Sequence, residues 1–159
     1  MRMHVLAPIA LLAALAGPAQ AQVPQYGPNV NHEQARKAVA AAIAEVRRQN
    51  LPPMAVAVVD TAGQLVAFER MDNTQTASVA VAQDKAMSAA MYRRPTKVFQ
   101  DLLAGGGVGT RVLSLRGANA VEGGLPLVVD GKIVGGIGLS GGSSEQDGVA
   151  AKAAVDALK

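Results

Sequence analysis

The sequence predicts an α+β sandwich built from antiparallel hairpins with helices between them. Two observations carry this. The first is a pair of apolar runs, Leu125 to Val129 and Ile133 to Leu139, joined by Asp130-Gly131. That dipeptide suits a two-residue hairpin turn, in which both positions need positive φ. The second is the element order: helix, two strands, two helices, two or three strands, helix. Strands that come in hairpins, and not singly between helices, exclude a doubly wound parallel sheet.

The chain begins with a segment that stands outside this domain. Arg2 and His4 make a short polar start, Val5 to Ala16 is an Ala- and Leu-rich core, and Ala19-Gln20-Ala21 is a small-x-small cleavage site. Residues 1–21 read as a secretory signal, too short to span a membrane. No cysteine follows the cleavage point, so a lipid anchor is not expected. The mature chain would start at Gln22 and be periplasmic or secreted. Residues 22–31, with Pro24 and Pro28, read as a flexible lead-in to a single domain at 32–159.

Asn31 is a good helix N-cap, and Ala35, Val39, Ala42, Ile43 and Val46 follow the helical period to about Asn50, where Pro52-Pro53 ends the run. Met54 to Val59 is apolar throughout and too short for a helix, hence a strand. Asp60 to Gly63 is a turn, and Leu65 to Met71 returns as a second strand. A second helix is expected over Thr76 to Tyr92, with Val79, Ala82, Ala86, Ala89 and Ala90 on its buried stripe. Arg94-Pro95-Thr96 breaks it, and a short third helix runs to Leu103, with Thr96 as its N-cap. A loop at Gly105 to Gly109, a short strand near Val112 to Leu115, the hairpin and a last helix complete the chain. Ser143 to Gln146 fits a capping box for that helix.

Composition limits the possible roles. The chain has no cysteine, two Phe and two Tyr, and its apolar half is mostly Ala and Val. Small side chains bury little area each, at about 25 cal/mol per Å², so a marginal core favours burial of further surface in a homo-oligomer. The net charge of +3 is dispersed, with no aromatics interleaved among the basic residues, so nucleic acid is a poor partner. No other apolar run approaches membrane length, and no membrane span is expected.

The glycines near the C-terminus mimic two known motifs. Gly136 to Gly141 fits G-x-G-x-x-G, but the chain stops where a second parallel strand and its acidic residue would have to follow. Gly138 to Gly142 fits G-x-S-x-G, but no histidine follows Ser140 to act as its base. Glycines that allow sharp turns and close approach are the simpler reading. Gly105 to Gly109 is likewise no phosphate cradle, because Thr110-Arg111 follows it in place of a Gly-Lys-Ser/Thr ending.

What remains is a signature. The string GG-x-P, hairpin, GG-I-G-x-SGG and a short acidic segment resembles the C-terminal half of the haem-binding GlcG/HbpS-like family. Further matches lie upstream in the same order: Val58-Val59-Asp60 with Gly63 and Leu65, Arg70-Met71-Asp72, Lys85-Ala86, and Arg94-Pro95-Thr96. The likeness runs from about His32 to Leu158. Asn73 departs from it, since a glycine is more usual after Arg-Met-Asp. The resemblance implies a profilin-like arrangement, one antiparallel sheet with helices packed on its faces. It also implies a homo-oligomer, haem as cofactor, and a tetrapyrrole held near the Arg94-Pro95-Thr96 corner.

The residues themselves narrow the chemistry. The mature chain holds one histidine, His32, which removes most triad and zinc hypotheses. A haem iron needs only one axial side chain, since the porphyrin supplies four nitrogens. His32 is either a solvated residue in the first helical turn or a haem or metal ligand, alone or with a copy from another subunit. Tyr92, at a helix end, either packs or offers an oxygen, as does Thr96; Tyr26 is a further oxygen donor. Arg93, Arg94 and Lys97 are either a solvated basic face or partners for propionates. Glu145 and Asp147 suit the dipole of the last helix. Lys85 interrupts an apolar helix face and is expected to pair with Asp84 or Asp72 or to enter a pocket.

No acid–base constellation stands out, which favours binding over catalysis. The expected role is therefore an exported protein that binds haem or a related tetrapyrrole, in haem capture, sensing or protection. The alternative is a small enzyme, or an enzyme accessory, acting on a small organic acid or a haem breakdown product.

Overall fold

The computed structural model describes residues 23–159; the expected signal segment and Gln22 lie outside the described residues. The elements in order are α1 (His32–Arg48), β1 (Ala55–Val59), β2 (Leu65–Arg70), α2 (Ser78–Tyr92), α3 (Lys97–Ala104), a 3-10 segment (Gly107–Ser114), β3 (Gly124–Val129), β4 (Lys132–Ser140) and α4 (Ser144–Asp156). The four strands form one antiparallel sheet in the order β2-β1-β4-β3. The single-sheet α+β arrangement expected from the sequence is the one observed.

Local chemistry explains the boundaries. Asn31 caps α1 through its side chain and Gln34 closes the box, as Ser143 and Gln146 do for α4. Asp130 and Gly131 have φ of +50° and +72°, so the β3–β4 turn needs the left-handed region at both positions. Asn73, in the place of an expected glycine, has φ of +62°; Asn tolerates that region better than most side chains.

The sheet is clothed differently on its two faces. Val56 and Val58 of β1 and Ile137 and Leu139 of β4 face α1 and α4, where they meet Ala35, Ala42, Ile43, Val46, Ala150 and Ala154. Ala55, Ala57 and Val59 point the other way, to α2, with Ala82, Ala86 and Ala90. This second layer is built from small side chains because α2 lies almost on the strand. A Cβ added at Gly138 would sit 2.1 Å from the Ala82 carbonyl oxygen and 2.4 Å from the Ala86 nitrogen; one at Gly136 would sit 2.4 Å from the Ala86 oxygen. The glycines of the false dinucleotide motif thus serve helix-on-sheet packing.

Two expectations are corrected. The lead-in is not flexible over its described part. It runs along β4 beyond the end of β1, with Gly27 N–H donating to Ile133 O (2.8 Å), Ile133 N–H to Gln25 O (2.8 Å) and Val30 N–H to Val134 O (2.7 Å). β1 is shorter than β4, so part of β4 needs another partner, and the buried Val30 side chain anchors the one it gets. The expected strand at Val112 to Leu115 is instead part of the 3-10 segment. No strand edge lies beside it, and local bonds such as Leu115 N–H to Val112 O (3.1 Å) satisfy the backbone while Val112 is buried.

Gly138→Ala tests the packing. Backbone atoms on both sides of the added methyl cannot swing away as a side chain would. The variant should lose about 3 kcal/mol in urea unfolding, whereas Gly131→Ala, with open space around its Cβ, should lose less and only through its positive φ.

Candidate functional site

His32 is the first residue of α1, exposed, and directly follows the Asn31 cap. One helical turn on, Arg36 shares its face. The two stand over a groove of about 440 Å³ between α1 and β2, walled by Val39, Ala40, Val66, Ala67 and Phe68, with Glu69 at the margin. Its exposed surface is mainly polar, with one imidazole, one guanidinium and the carboxylate of Glu69 beside a smaller apolar share. A larger cavity of about 500 Å³ between α1 and α4 is lined by Glu45, Glu122, Glu145 and Asp156 against a single cation, Lys152. Its lining suits a cationic ligand and repels carboxylates. Among the described residues, no three His, Asp or Glu side chains gather to hold a metal ion by themselves.

The other predicted site residues lie elsewhere. Tyr92 ends α2, and Arg93 and Arg94 follow it on the α2 side of the sheet, so the sheet separates all three from His32 and α1. Each makes contacts within the chain. The Tyr92 hydroxyl donates to Arg116 O at 2.7 Å, and its ring meets Phe99 edge-on at 5.1 Å. Arg93, at φ +54°, stacks over Tyr26, whose hydroxyl donates to the Ala90 and Met91 carbonyls. Arg94 Nε donates to Tyr92 O, and its guanidinium covers Phe99. Lys97 binds Asp101 at 2.8 Å and lies 3.8 Å from Glu122.

Thr96 is corrected most clearly. Its side chain does not cap α3; it is fully buried and accepts the Gly124 N–H at 3.0 Å, pinning the start of β3. A helical φ and ψ at Thr96 turn its hydroxyl away from the α3 amides. The family resemblance had implied a tetrapyrrole contact at this corner. Arg36, which lines the groove with His32, was not among the expected site residues, although its four-residue spacing from His32 was an available signal.

The partner of Lys85 is neither Asp84 nor Asp72. Its ammonium lies 2.7 Å from Asp147 Oδ2 and donates to Leu139 O at 3.0 Å, with both side chains almost wholly buried. Asp147 also accepts the Gly142 N–H at 3.0 Å. Burial pushes the Asp147 carboxyl above the usual carboxylate range, against the pull of Lys85 and of the Gly142 amide. Since Lys85 rises from α2 and Asp147 from α4, the pair joins the two helical layers around the end of the sheet. It is enclosed structural charge, without access for a ligand.

The fold is a small α+β domain with a groove between its first helix and its edge strand. A family model described as haem degrading protein HbpS-like matches residues 30–156, and the chain belongs to this HbpS-like family. Protein GlcG of Escherichia coli K12 is 36% identical over 108 residues, covering 68% of this chain and 79% of GlcG. Among solved structures, HbpS aligns with a TM-score of 0.75 at 28% identity over 92% of this chain and 99% of that one. PduOC, solved as a haem complex, aligns with a TM-score of 0.73 at 27% identity over 82% of this chain and 96% of that one.

The buried pair yields a prediction with a sign. Lys85→Met leaves Asp147 buried without its counter-charge and should cost about 3–5 kcal/mol near neutral pH. The folded pKa of Asp147 then lies still further above its unfolded value. Such a group adds stability while protonated and loses it as pH rises through the folded pKa. The deficit of Lys85→Met should therefore shrink in acid, and Lys85→Met with Asp147→Leu should recover most of it at pH 7. Urea unfolding at several pH values measures both.

Proposed function

We propose that this protein is exported, loses its signal after Ala21, and binds haem or a related tetrapyrrole as a homo-oligomer, in haem capture, sensing or protection. The observation that carries the reading is the pairing of His32 and Arg36 at one groove, where they outnumber its single carboxylate, Glu69. A porphyrin is a flat apolar disc with two carboxylates, and its iron needs one further strong ligand to be held. His32 is the imidazole for that role, Arg36 the guanidinium for a propionate, and Val39, Val66 and Ala67 the walls for the ring. The groove falls within the size range of small-molecule sites. Bound haem supplies an iron centre that takes small ligands and exchanges electrons; the chain's own part is to bind, orient and shield it. The HbpS-like family membership and the likeness to PduOC support the choice of ligand.

A second reading, turnover of haem, is favoured by the description of the family model. Aerobic incubation of the haemin complex with ascorbate separates the two: a stable absorbance fits storage or sensing, and steady bleaching fits an enzyme.

Titration of the purified protein with haemin should give a saturable Soret change. His32→Ala should weaken binding at least tenfold and abolish the nitrogen-ligated spectrum. Arg36→Ala should cost about 1.5–3 kcal/mol, as loss of a hydrogen bond to a charged group does. Tyr92→Phe and Thr96→Val should bind as the parent does. An unchanged spectrum in His32→Ala, with loss in Thr96→Val, would return the site to the α2–α3 corner.

For export, the soluble protein recovered from outside the cytoplasm should begin at Gln22 by mass spectrometry. A soluble species that retains Met1 would contradict processing after Ala21.

A further inference from the structure

Exposed apolar side chains are not scattered evenly over this chain. Seven of the eleven large ones among the described residues lie between Met91 and Val121, and the two most exposed, Val108 and Leu113 at 74% each, stand on the 3-10 segment. Apolar residues exposed singly are ordinary, whereas a gathered set marks a contact surface.

The geometry of the segment accounts for the gathering. A 3-10 helix has three residues per turn, so residues i and i+3 eclipse. Gly109 and Val112 form the inward ridge: Val112 is buried, and a Cβ added at Gly109 would sit 1.9 Å from the Leu102 carbonyl oxygen of α3. The other two ridges point outward. One carries Val108 and Arg111, the other Thr110 and Leu113, with Arg116 just beyond. On α3, Val98 and Leu102 stand one turn apart and add exposed apolar surface.

Charge on this surface is one-sided. From Leu102 to Val121 the chain holds two arginines, Arg111 and Arg116, both exposed, and no Asp or Glu. The one carboxylate of α3, Asp101, already pairs with Lys97, and Arg94 is exposed just before that helix.

We infer that the 3-10 segment and the outer face of α3 dock this protein reversibly on an anionic phospholipid bilayer. Val108 and Leu113 enter the headgroup layer, and Arg111 and Arg116 meet its phosphodiesters. Apolar side chains flanked by arginines, with no free carboxylate among them, match a surface that is negative outside and hydrocarbon beneath. A second copy does not match, because two such faces would bring arginine against arginine. A protein partner fits less well. Protein interfaces anchor chiefly on Trp, Tyr and Arg, with Leu and Val under-represented, and here the rings of Tyr92 and Phe99 are turned on each other. No described helix is long and apolar enough to cross a membrane, and the docking is interfacial. The groove at His32 is walled by α1 and β2, so none of the docking residues covers it.

Sedimentation with vesicles tests the inference. Haem-free chain beginning at Gln22 keeps both the haem reading and the preceding apolar segment out of the result. It should sediment at low salt with vesicles of phosphatidylcholine and phosphatidylglycerol, stay in solution with phosphatidylcholine alone, and be released as salt rises. Arg111→Glu with Arg116→Glu should abolish binding. Val108→Ser with Leu113→Ser should weaken it about tenfold. All four positions are exposed, so urea unfolding of both double variants should match the parent. Leu65→Ser, an exposed apolar position on β2, should bind as the parent does. Equal sedimentation with both vesicle types, or unchanged binding in either double variant, overturns the inference. Sedimentation with neither vesicle also overturns it and leaves the surface to an acidic protein. A fall in the mass seen by light scattering for Val108→Ser with Leu113→Ser, without vesicles, assigns the face to contact between copies and overturns it as well.

Discussion

Gly136 and Gly138 present bare backbone to α2, and the helix settles so close that no side chain fits between them. Much else is dictated by this approach. The facing residues must be small, hence Ala82, Ala86 and Ala90 in that layer and Val, Ile and Leu in the other. The same proximity opens a path for Lys85. Its Cβ lies 3.0 Å from where a Gly138 side chain would begin, and its ammonium 2.9 Å from the corresponding point at Gly123. A lysine on the buried face of a helix can reach a carboxylate in the opposite layer only because glycines line its route. The ion pair is a consequence of the close packing, and it locks that packing in turn, since either charge alone would be stranded.

The fold was largely legible in the sequence because most elements are specified locally. Asp130-Gly131, the Asn31 and Ser143 caps and the helical stripe of α1 each depend on residues within one turn or one hairpin. The misreadings were non-local. Nothing in Val112-Leu113 says that no strand will lie beside it, and nothing in Gln25 to Val30 says that β4 outruns β1 and leaves carbonyls and amides to be met. Both depend on lengths set far away in the chain. The false nucleotide motif belongs to the same class, since the pattern was real and only the direction of the neighbouring strand decided its use.

The candidate site residues were legible singly, and their grouping in space was not. One histidine and no cysteine were enough to point to a ligand that brings most of its own coordination. The basic cluster at Arg93, Arg94 and Lys97, at the corner the family resemblance pointed to, lies on the other side of the sheet, where the two guanidiniums rest on Tyr26 and Phe99 and Lys97 pairs with Asp101. His32 and Arg36, less conspicuous in the chain, stand together over one groove.

The segment from Gln25 to Val30 completes the sheet from outside its strands. Tyr26 clasps the last carbonyls of α2 while the neighbouring backbone fills the part of β4 that β1 leaves open. Removal of these few residues would do more than shorten a tail: it would create a new edge in the middle of the sheet, with the amide of Ile133 and the carbonyls of Ile133 and Val134 unpaired beside buried apolar side chains. The N-terminal limit of the folding unit therefore lies at Gln25 and not at the start of the first helix, and proteolytic trimming beyond it would turn a stable domain into an aggregation-prone one.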